Sequence, residues 1–441
     1  MQGDRPDHDG QILRSRGARL AGRGAAVGRA AIERAADWVF HAGDEALFAA
    51  LADGRHAGNL REYFGAAEYA ELAPLAALAK TAAVCPRPRV LIVPGIMASK
   101  LADAAPRRRV PRVLWIDPAR LSAGGLLALA LPAGRGLRPC GVLPYSYAKL
   151  ALQLRTRGYR TGFHAYDWRL ALEESGRALA LRIASLGEPV SLIGHSMGGL
   201  VARAAVGMLP RRCVKRLIML GTPNFGSFAP LQAMRGTYPF VRKIAQLDPA
   251  HTPEFLARRV FATFPGLCQL LPDARRCAKT DYFTVRDWPR SGPRPHADLL
   301  RRAAAARAAL AAGDSRMRQI IGVDRNTIVG ARKKKRGGFE YAIGPNGDGT
   351  VPRARALLPD CPAYYVEEWH SQLANNRDVI RAVADLLRGG RTRALPQAWP
   401  LRRTPLEHID DARLRGADEP KIDWRRLDGR RRKALLAQLL R

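Results

Sequence analysis

The sequence predicts an α/β fold, with an open, mainly parallel β-sheet covered by helices on both faces. Short apolar runs recur along the chain and suit strands that are buried on both faces. Segments with apolar residues at helical spacing lie between these runs. Because strands that alternate with helices are joined by crossover connections, we expect the strands to be parallel. Functional residues then gather at the carboxyl ends of the strands.

The chain is predicted to carry extensions at both ends of one large domain. Residues 1–30 are rich in Gly, Arg and Asp without periodicity, which predicts a disordered arm. Residues 31–88 contain two stretches of helical spacing and predict a helical N-terminal extension. Residues 391–441 are rich in Pro and Arg and form a basic C-terminal tail, with a short helix expected at 424–440.

The central domain, residues 89–390, is predicted to contain the sheet. Its first strand runs from Arg89 to Val93 and is ended by Pro94-Gly95. Further strands are expected at 161–165, 190–193, 216–220, 319–323 and 364–366, and helices at 147–157, 176–185, 200–209 and 376–387. Two insertions, at about 102–145 and 228–272, interrupt the alternation. Both follow the ends of strands, where a long connection can cover an active site as a cap or lid.

The net charge of +34 arises from 73 Lys plus Arg against 39 Asp plus Glu. Only 11 of the basic residues are Lys, and the Arg residues are spread along the chain, which indicates a compositional preference more than a nucleic-acid site. Peripheral contact with an anionic membrane fits the charge better. The first thirty residues lack an apolar h-region, and no apolar run reaches spanning length, so we expect a cytoplasmic protein.

The strongest local motif is Gly194-His195-Ser196-Met197-Gly198-Gly199, which follows one predicted strand and precedes a predicted helix. A sharp strand-to-helix turn brings backbones close together, so small residues are needed two positions before and after the serine. The serine hydroxyl is then exposed above the sheet. This is the nucleophile elbow of the α/β-hydrolase fold, and Ser196 is the candidate nucleophile. We interpret its neighbour His195 as a packing or orienting residue.

A serine hydroxyl needs a base to take its proton and an acid to orient that base. In this fold the chain order is serine, acid, histidine. Only His370 follows the later strands shortly before a helix, and it is the candidate base. The candidate acid is Asp348, which lies in a glycine-flanked turn 22 residues earlier. Asp324, one residue beyond the strand at 319–323, is the alternative acid.

The oxyanion of an acyl-transfer intermediate needs two preorganised N–H donors. The backbone N–H of Met197, the residue after the nucleophile, is the first candidate. The second comes from the loop after the first strand, where the backbone N–H of Ile96 is favoured and that of Met97 is the alternative.

These elements resemble the lecithin:cholesterol acyltransferase family of the α/β-hydrolase superfamily, which also includes lysosomal phospholipase A2 and bacterial homologues. The similar segments lie in the family's order at residues 93–101, 115–118, 166–169, 194–199, 221–227, 270–272 and 347–352, followed by His370. The resemblance covers about residues 89–388. It implies Ser196, Asp348 and His370 as the triad, a lid at about 228–250 and a membrane-facing element within 102–145. Asn224-Phe225 stand where several lipid-active members have Trp, so the acyl preference is not inherited.

The function expected from these observations is hydrolysis of an acyl ester, or O-acyl transfer, through an acyl-serine intermediate. The resemblance narrows the substrate to a lipid-like ester. An esterase for small soluble or polyester substrates is one alternative. A catalytically inactive scaffold that binds an anionic membrane or nucleic acid is another. The sequence carries no metal, nucleotide or flavin motif, so no cofactor is expected.

Overall fold

The computed structural model describes residues 38–85, 87–103, 112–132, 136–273, 280–335, 337–416, 420–428, 431 and 435. The predicted disordered arm at 1–30 lies outside these ranges. So do residues 31–37 of the helical extension and most of the segment after 428. Within the helix expected at 424–440, the described part contains a 3₁₀ turn, Trp424–Arg426.

The strands are β1 (Arg89–Val93), β2 (Ser99–Asp103), β3 (Arg112–Trp115), β4 (Leu137–Val142), β5 (Thr161–Phe163), β6 (Val190–His195), β7 (Val214–Leu220), β8 (Met317–Val323), β9 (Thr327–Lys333), β10 (Phe339–Gly344), β11 (Ala363–Glu367) and β12 (Glu407–Asp410). The α-helices are α1 (Trp38–His41), α2 (Asp44–Asp53), α3 (Ala57–Phe64), α4 (Ala66–Thr81), α5 (Pro118–Leu121), α6 (Pro144–Arg155), α7 (Leu172–Ser185), α8 (Met197–Met208), α9 (Ala229–Arg235), α10 (Pro239–Leu247), α11 (Pro253–Arg259), α12 (Pro265–Cys268), α13 (Ala297–Ala308), α14 (Arg353–Ala356), α15 (Arg377–Gly389) and α16 (Asp411–Arg415).

The central sheet has six strands in the order β11-β8-β7-β6-β1-β5, and every neighbouring pair is parallel. These six are the strands that the apolar runs predict, with ends that differ by a few residues. Val90 to Val93 of β1 are fully buried, as expected for a strand covered on both faces. The predicted fold class, an α/β-hydrolase fold with a mainly parallel sheet, is confirmed.

Two further sheets were not predicted, and both are antiparallel. One, in the order β3-β2-β4, lies mostly within the first insertion, and the other has the order β12-β10-β9. The sequence signal for these strands is weak because they lack a clear alternation of apolar and polar residues. The strand β4, for example, contains Pro139, Cys140 and Gly141 in its middle.

The N-terminal extension is helical, and it is anchored to the domain by buried polar contacts. The first of the two predicted helical stretches is divided between α1 and α2, because Gly43 adopts an extended conformation between them. The buried Lys100 Nζ on β2 donates to the carbonyl of Ala42 at 2.6 Å. Burial lowers the pKa of this ammonium group. The extension is therefore part of the folded unit.

The segment after residue 391 packs against the second insertion. Asp411 Oδ2 accepts a 2.9 Å hydrogen bond from Arg235 Nε on α9, and both side chains are buried. Further along, Lys421 Nζ donates to the carbonyl of Ala245 on α10 at 2.9 Å. The C-terminal segment thus contacts two of the helices of that insertion, α9 and α10. None of the described helices combines the length and apolar character needed to cross a membrane.

Candidate active site

Ser196 lies at the turn between β6 and α8, with backbone angles φ 52° and ψ −127°. A positive φ is strained for a residue with a side chain, and it is typical of a nucleophile elbow. The neighbouring glycines are required by close contacts. A Cβ on Gly194 would lie 2.5 Å from Gly199 Cα, and one on Gly198 would lie 2.2 Å from the carbonyl oxygen of Val93. The turn therefore has the tight packing that the glycine spacing predicts.

His370 connects Ser196 to Asp348 through two hydrogen bonds. Its Nε2 lies 2.9 Å from Ser196 Oγ, and its Nδ1 lies 2.7 Å from Asp348 Oδ2. The Asp348 side chain is 2% exposed and the His370 side chain 13%, so water is largely excluded from this pair. The backbone N–H of His370 also donates to the carbonyl of Asp348 at 2.8 Å. The structure thus brings together Ser196, Asp348 and His370, the three residues that the sequence predicts as a triad.

The carboxylate of Asp348 is oriented by its own turn. Its Oδ1 accepts hydrogen bonds from the backbone N–H groups of Thr350, at 3.0 Å, and Val351, at 2.7 Å. These bonds leave Oδ2 facing His370. The alternative acid, Asp324, has a different partner, since its Oδ2 is 2.7 Å from the guanidinium of Arg402. Of the two candidate acids, only Asp348 contacts the imidazole.

The candidate oxyanion donors belong to the residue after Ser196 and to the loop after β1. Met197 is the first residue of α8, where backbone N–H groups have no partner within the helix. In the loop after β1, the Gly95 carbonyl accepts from Ala98 N at 3.3 Å. This carbonyl and the N–H of Ile96 belong to the same trans peptide and point in opposite directions, so the N–H of Ile96 points away from Ala98. Ile96 and its alternative both border the cavity that contains Ser196.

His195 makes two hydrogen bonds, both within the site. Its Nδ1 lies 2.9 Å from Tyr147 Oη, and its Nε2 lies 3.0 Å from the carbonyl oxygen of His370. Tyr147 Oη in turn accepts from Gly95 N at 2.9 Å. Tyr147 is not predicted as a site residue, because a tyrosine near the start of an amphipathic helix carries no sequence signal for such a contact.

A cavity of ≈ 690 Å³ opens above Ser196 and His370. Its walls are mainly apolar, with Met97, Trp115 and Leu270 among the lining residues. The helices α9 and α10 of the second insertion contribute one side. Among the described residues, Lys243 on α10 is the single Lys or Arg that lines the cavity. The space suits an apolar chain with a polar group near Lys243.

A second cleft, of ≈ 930 Å³, lies against the N-terminal extension, away from Ser196. Charged side chains line it, including Arg87, Lys149 and Arg381. None of the described residues that line it is a nucleophile paired with a base, so the cavity at Ser196 is the candidate active site. Within the described ranges, no group of three His, Cys, Asp or Glu side chains is placed to hold a metal ion.

Comparison with known proteins agrees with the resemblance seen in the sequence. Residues 141–294 match the family described as lecithin:cholesterol acyltransferase. A chain of the Tle4–Tli4 complex is 15% identical and has a TM-score of 0.51, with 68% of this chain and 98% of that one covered. The mature lipase BlEst2 of Bacillus licheniformis is 14% identical, with a TM-score of 0.36 and coverage of 69% and 94%. Phospholipase PlaB of Legionella pneumophila is 12% identical, with a TM-score of 0.33 and coverage of 69% and 60%. A search among curated proteins found no match.

Proposed function

We propose that this α/β hydrolase, a relative of the lecithin:cholesterol acyltransferases, is a serine-dependent enzyme that hydrolyses or transfers the acyl group of a lipid-like ester. One observation carries the proposal. Ser196, His370 and Asp348 form a hydrogen-bonded series at the carboxyl edge of the sheet, beneath an apolar cavity. The family match of residues 141–294 supports the same reaction class.

In the proposed mechanism, Ser196 Oγ attacks the carbonyl carbon of the ester while His370 Nε2 accepts its proton. The resulting oxyanion is stabilised by the backbone N–H of Met197 and by that of Ile96, with Met97 as the alternative. The C–O bond of the ester then breaks, and the leaving alkoxide takes the proton from His370 Nε2. The products of this half-reaction are an alcohol and acyl-Ser196.

The second half-reaction repeats these steps with a different nucleophile. Water or an acceptor alcohol gives its proton to His370 Nε2 and attacks the acyl carbonyl carbon. When the tetrahedral intermediate collapses, Ser196 Oγ leaves and regains the proton. Throughout the cycle the carboxylate of Asp348 accepts the hydrogen bond from Nδ1–H of His370, so that Nε2 is the nitrogen that takes up and releases the proton. Hydrolysis and transfer therefore differ only in the second nucleophile.

The apolar walls of the cavity support a substrate with an acyl chain. Burying a methylene group contributes about 0.8 kcal/mol, so a chain of eight carbons gains several kcal/mol over acetate. We expect kcat/KM on nitrophenyl esters to rise with chain length up to the capacity of the cavity. A flat profile that favours acetate would instead support an esterase for small soluble substrates.

The decisive experiment is labelling with a fluorophosphonate probe, which reacts with an activated serine. We expect the folded protein to be labelled at Ser196 and the Ser196→Ala variant to remain unlabelled. The control is Ser185→Ala, which removes a hydroxyl that donates to the carbonyl of Arg182 in α7. An unlabelled, folded parent would refute the serine mechanism and favour a non-catalytic scaffold. Turnover in the presence of an added alcohol, analysed by product, then separates transfer from hydrolysis.

A further inference from the structure

Three consecutive hydrogen bonds link the two sides of the candidate active site. The backbone N–H of Gly95 lies 2.9 Å from Tyr147 Oη. The same oxygen lies 2.9 Å from His195 Nδ1. On the far side of the ring, His195 Nε2 lies 3.0 Å from the carbonyl oxygen of His370. Both side chains in this connection are buried.

The direction of each hydrogen bond follows from the chemistry of the groups. A carbonyl oxygen only accepts, so His195 Nε2 must carry a proton and donate to His370. Burial lowers the pKa of His195 to about 3, so the ring is neutral and its Nδ1 accepts. The Tyr147 hydroxyl therefore donates to Nδ1, and its oxygen accepts from Gly95. Burial also raises the pKa of Tyr147, which keeps this proton on the phenol at neutral pH.

Each end of the connection adjoins a reacting group. Gly95 precedes Ile96 and packs close to the nucleophile, since a Cβ on this glycine would lie 3.1 Å from Ser196 Cβ. At the other end, the His370 backbone is held on two sides. Its N–H donates to the carbonyl of Asp348, and its carbonyl accepts from His195. Hydrogen bonds on both sides therefore fix the backbone of His370, whose imidazole faces Ser196 Oγ.

We infer that Tyr147 and His195 are positioning residues. They hold the loop after β1, which carries the candidate oxyanion donor Ile96, and the base His370 in a fixed position relative to Ser196. The inference rests on the proposed function and adds a role for two residues outside the triad. His195 is adjacent to Ser196 in the chain, so the nucleophile and its support move together. A displacement of about 1 Å in such a site costs up to about 100-fold in rate.

The kinetic test is Tyr147→Phe, which removes one hydroxyl and breaks two of the three bonds. We expect kcat to fall about tenfold to 100-fold and KM to change less than about twofold. The matched control is Tyr159→Phe, since Tyr159 is also buried and its hydroxyl donates to the carbonyl of Ala384, outside the cavity. Its kcat should equal that of the parent. Equal kcat losses in both variants would overturn the inference.

Two substitutions of His195 separate positioning from simple packing. Glutamine offers both an acceptor and a donor, whereas leucine fills space without either. We expect His195→Gln to retain more kcat than His195→Leu when both variants fold, as judged by urea unfolding. If the leucine variant is the more active, the hydrogen bonds are not what the site requires and the inference is wrong.

A spectroscopic test is independent of turnover. In protein labelled with 15N at histidine, the ring signal of His195 is the one that disappears in His195→Gln. At pH 7 we expect a neutral ring with its proton on Nε2, and we expect Tyr147→Phe to lose this single tautomer. A charged ring, or a proton on Nδ1, would overturn the inference whether or not an ester is cleaved. A different result would refute the proposed function: the folded protein shows the expected ring state of His195, but it is not labelled at Ser196 and does not cleave esters.

Discussion

Replacing Asp348 with asparagine tests the proposed mechanism most directly, because the structure determines how the new side chain must lie. The N–H groups of Thr350 and Val351 both donate to Asp348 Oδ1, so the amide oxygen of asparagine will occupy that position. The amide NH₂ then faces His370 Nδ1 across the present 2.7 Å contact. Two donors cannot face each other, so the imidazole must carry its proton on Nε2 and cannot accept one from Ser196.

The expected result is a loss of about 10³- to 10⁴-fold in kcat, equivalent to about 4 to 5.5 kcal/mol, with little change in KM. The assay is steady-state hydrolysis of a nitrophenyl ester, with the rate of fluorophosphonate labelling as a second readout. Asp324→Asn is the matched control, because that carboxylate pairs with Arg402 and not with an imidazole. A kcat within tenfold of the parent for Asp348→Asn, together with a large loss for Asp324→Asn, would refute the assignment.

Three further predictions address the cavity, the insertion and the elbow. Lys243→Met should lower kcat/KM for esters with an anionic group but not for neutral esters of equal chain length; equal losses on both series would exclude charge recognition. Asp411→Asn leaves the buried Arg235 guanidinium without its counter-charge, and urea unfolding should show a loss of about 3 to 5 kcal/mol. Gly198→Ala puts a Cβ 2.2 Å from the carbonyl oxygen of Val93, so soluble expression and labelling should both fall; a folded variant that labels normally would contradict the packing argument.

The C-terminal segment that contains Asp411 also contacts the wall of the cavity at Ser196. Asp411 and Lys421 contact α9 and α10, the helices that form one side of the cavity. Residues far from Ser196 in the chain therefore contact the helices that line the cavity. A variant that weakens these contacts should change KM for long acyl chains more than for short ones, which the chain-length panel measures.

The sequence by itself determined the central sheet and the elbow. Val90 to Val93 is a continuous apolar run, and residues 190–193 are apolar except for Ser191, which is typical of strands buried on both faces. The requirement for Gly194 is likewise local, because a Cβ there would lie 2.5 Å from Gly199 Cα in the same turn. The apolar runs and this turn depend on neighbouring residues, so the one-dimensional pattern is sufficient to predict them, whereas Gly198 is required by Val93 on the adjacent strand β1.

Only the tertiary structure decided which acid meets His370, how Tyr147 enters the site and where the C-terminal segment lies. Asp324 and Asp348 both follow strands, and the sequence left both open as acids. Ser196 and His370 are 174 positions apart, and Arg235 and Asp411 are 176 apart. Contacts of this kind depend on how the strands order in the sheet and how the insertions fold over it. Local sequence patterns reflect burial and turns, but the partner that a polar side chain meets is determined by the packing of the whole chain.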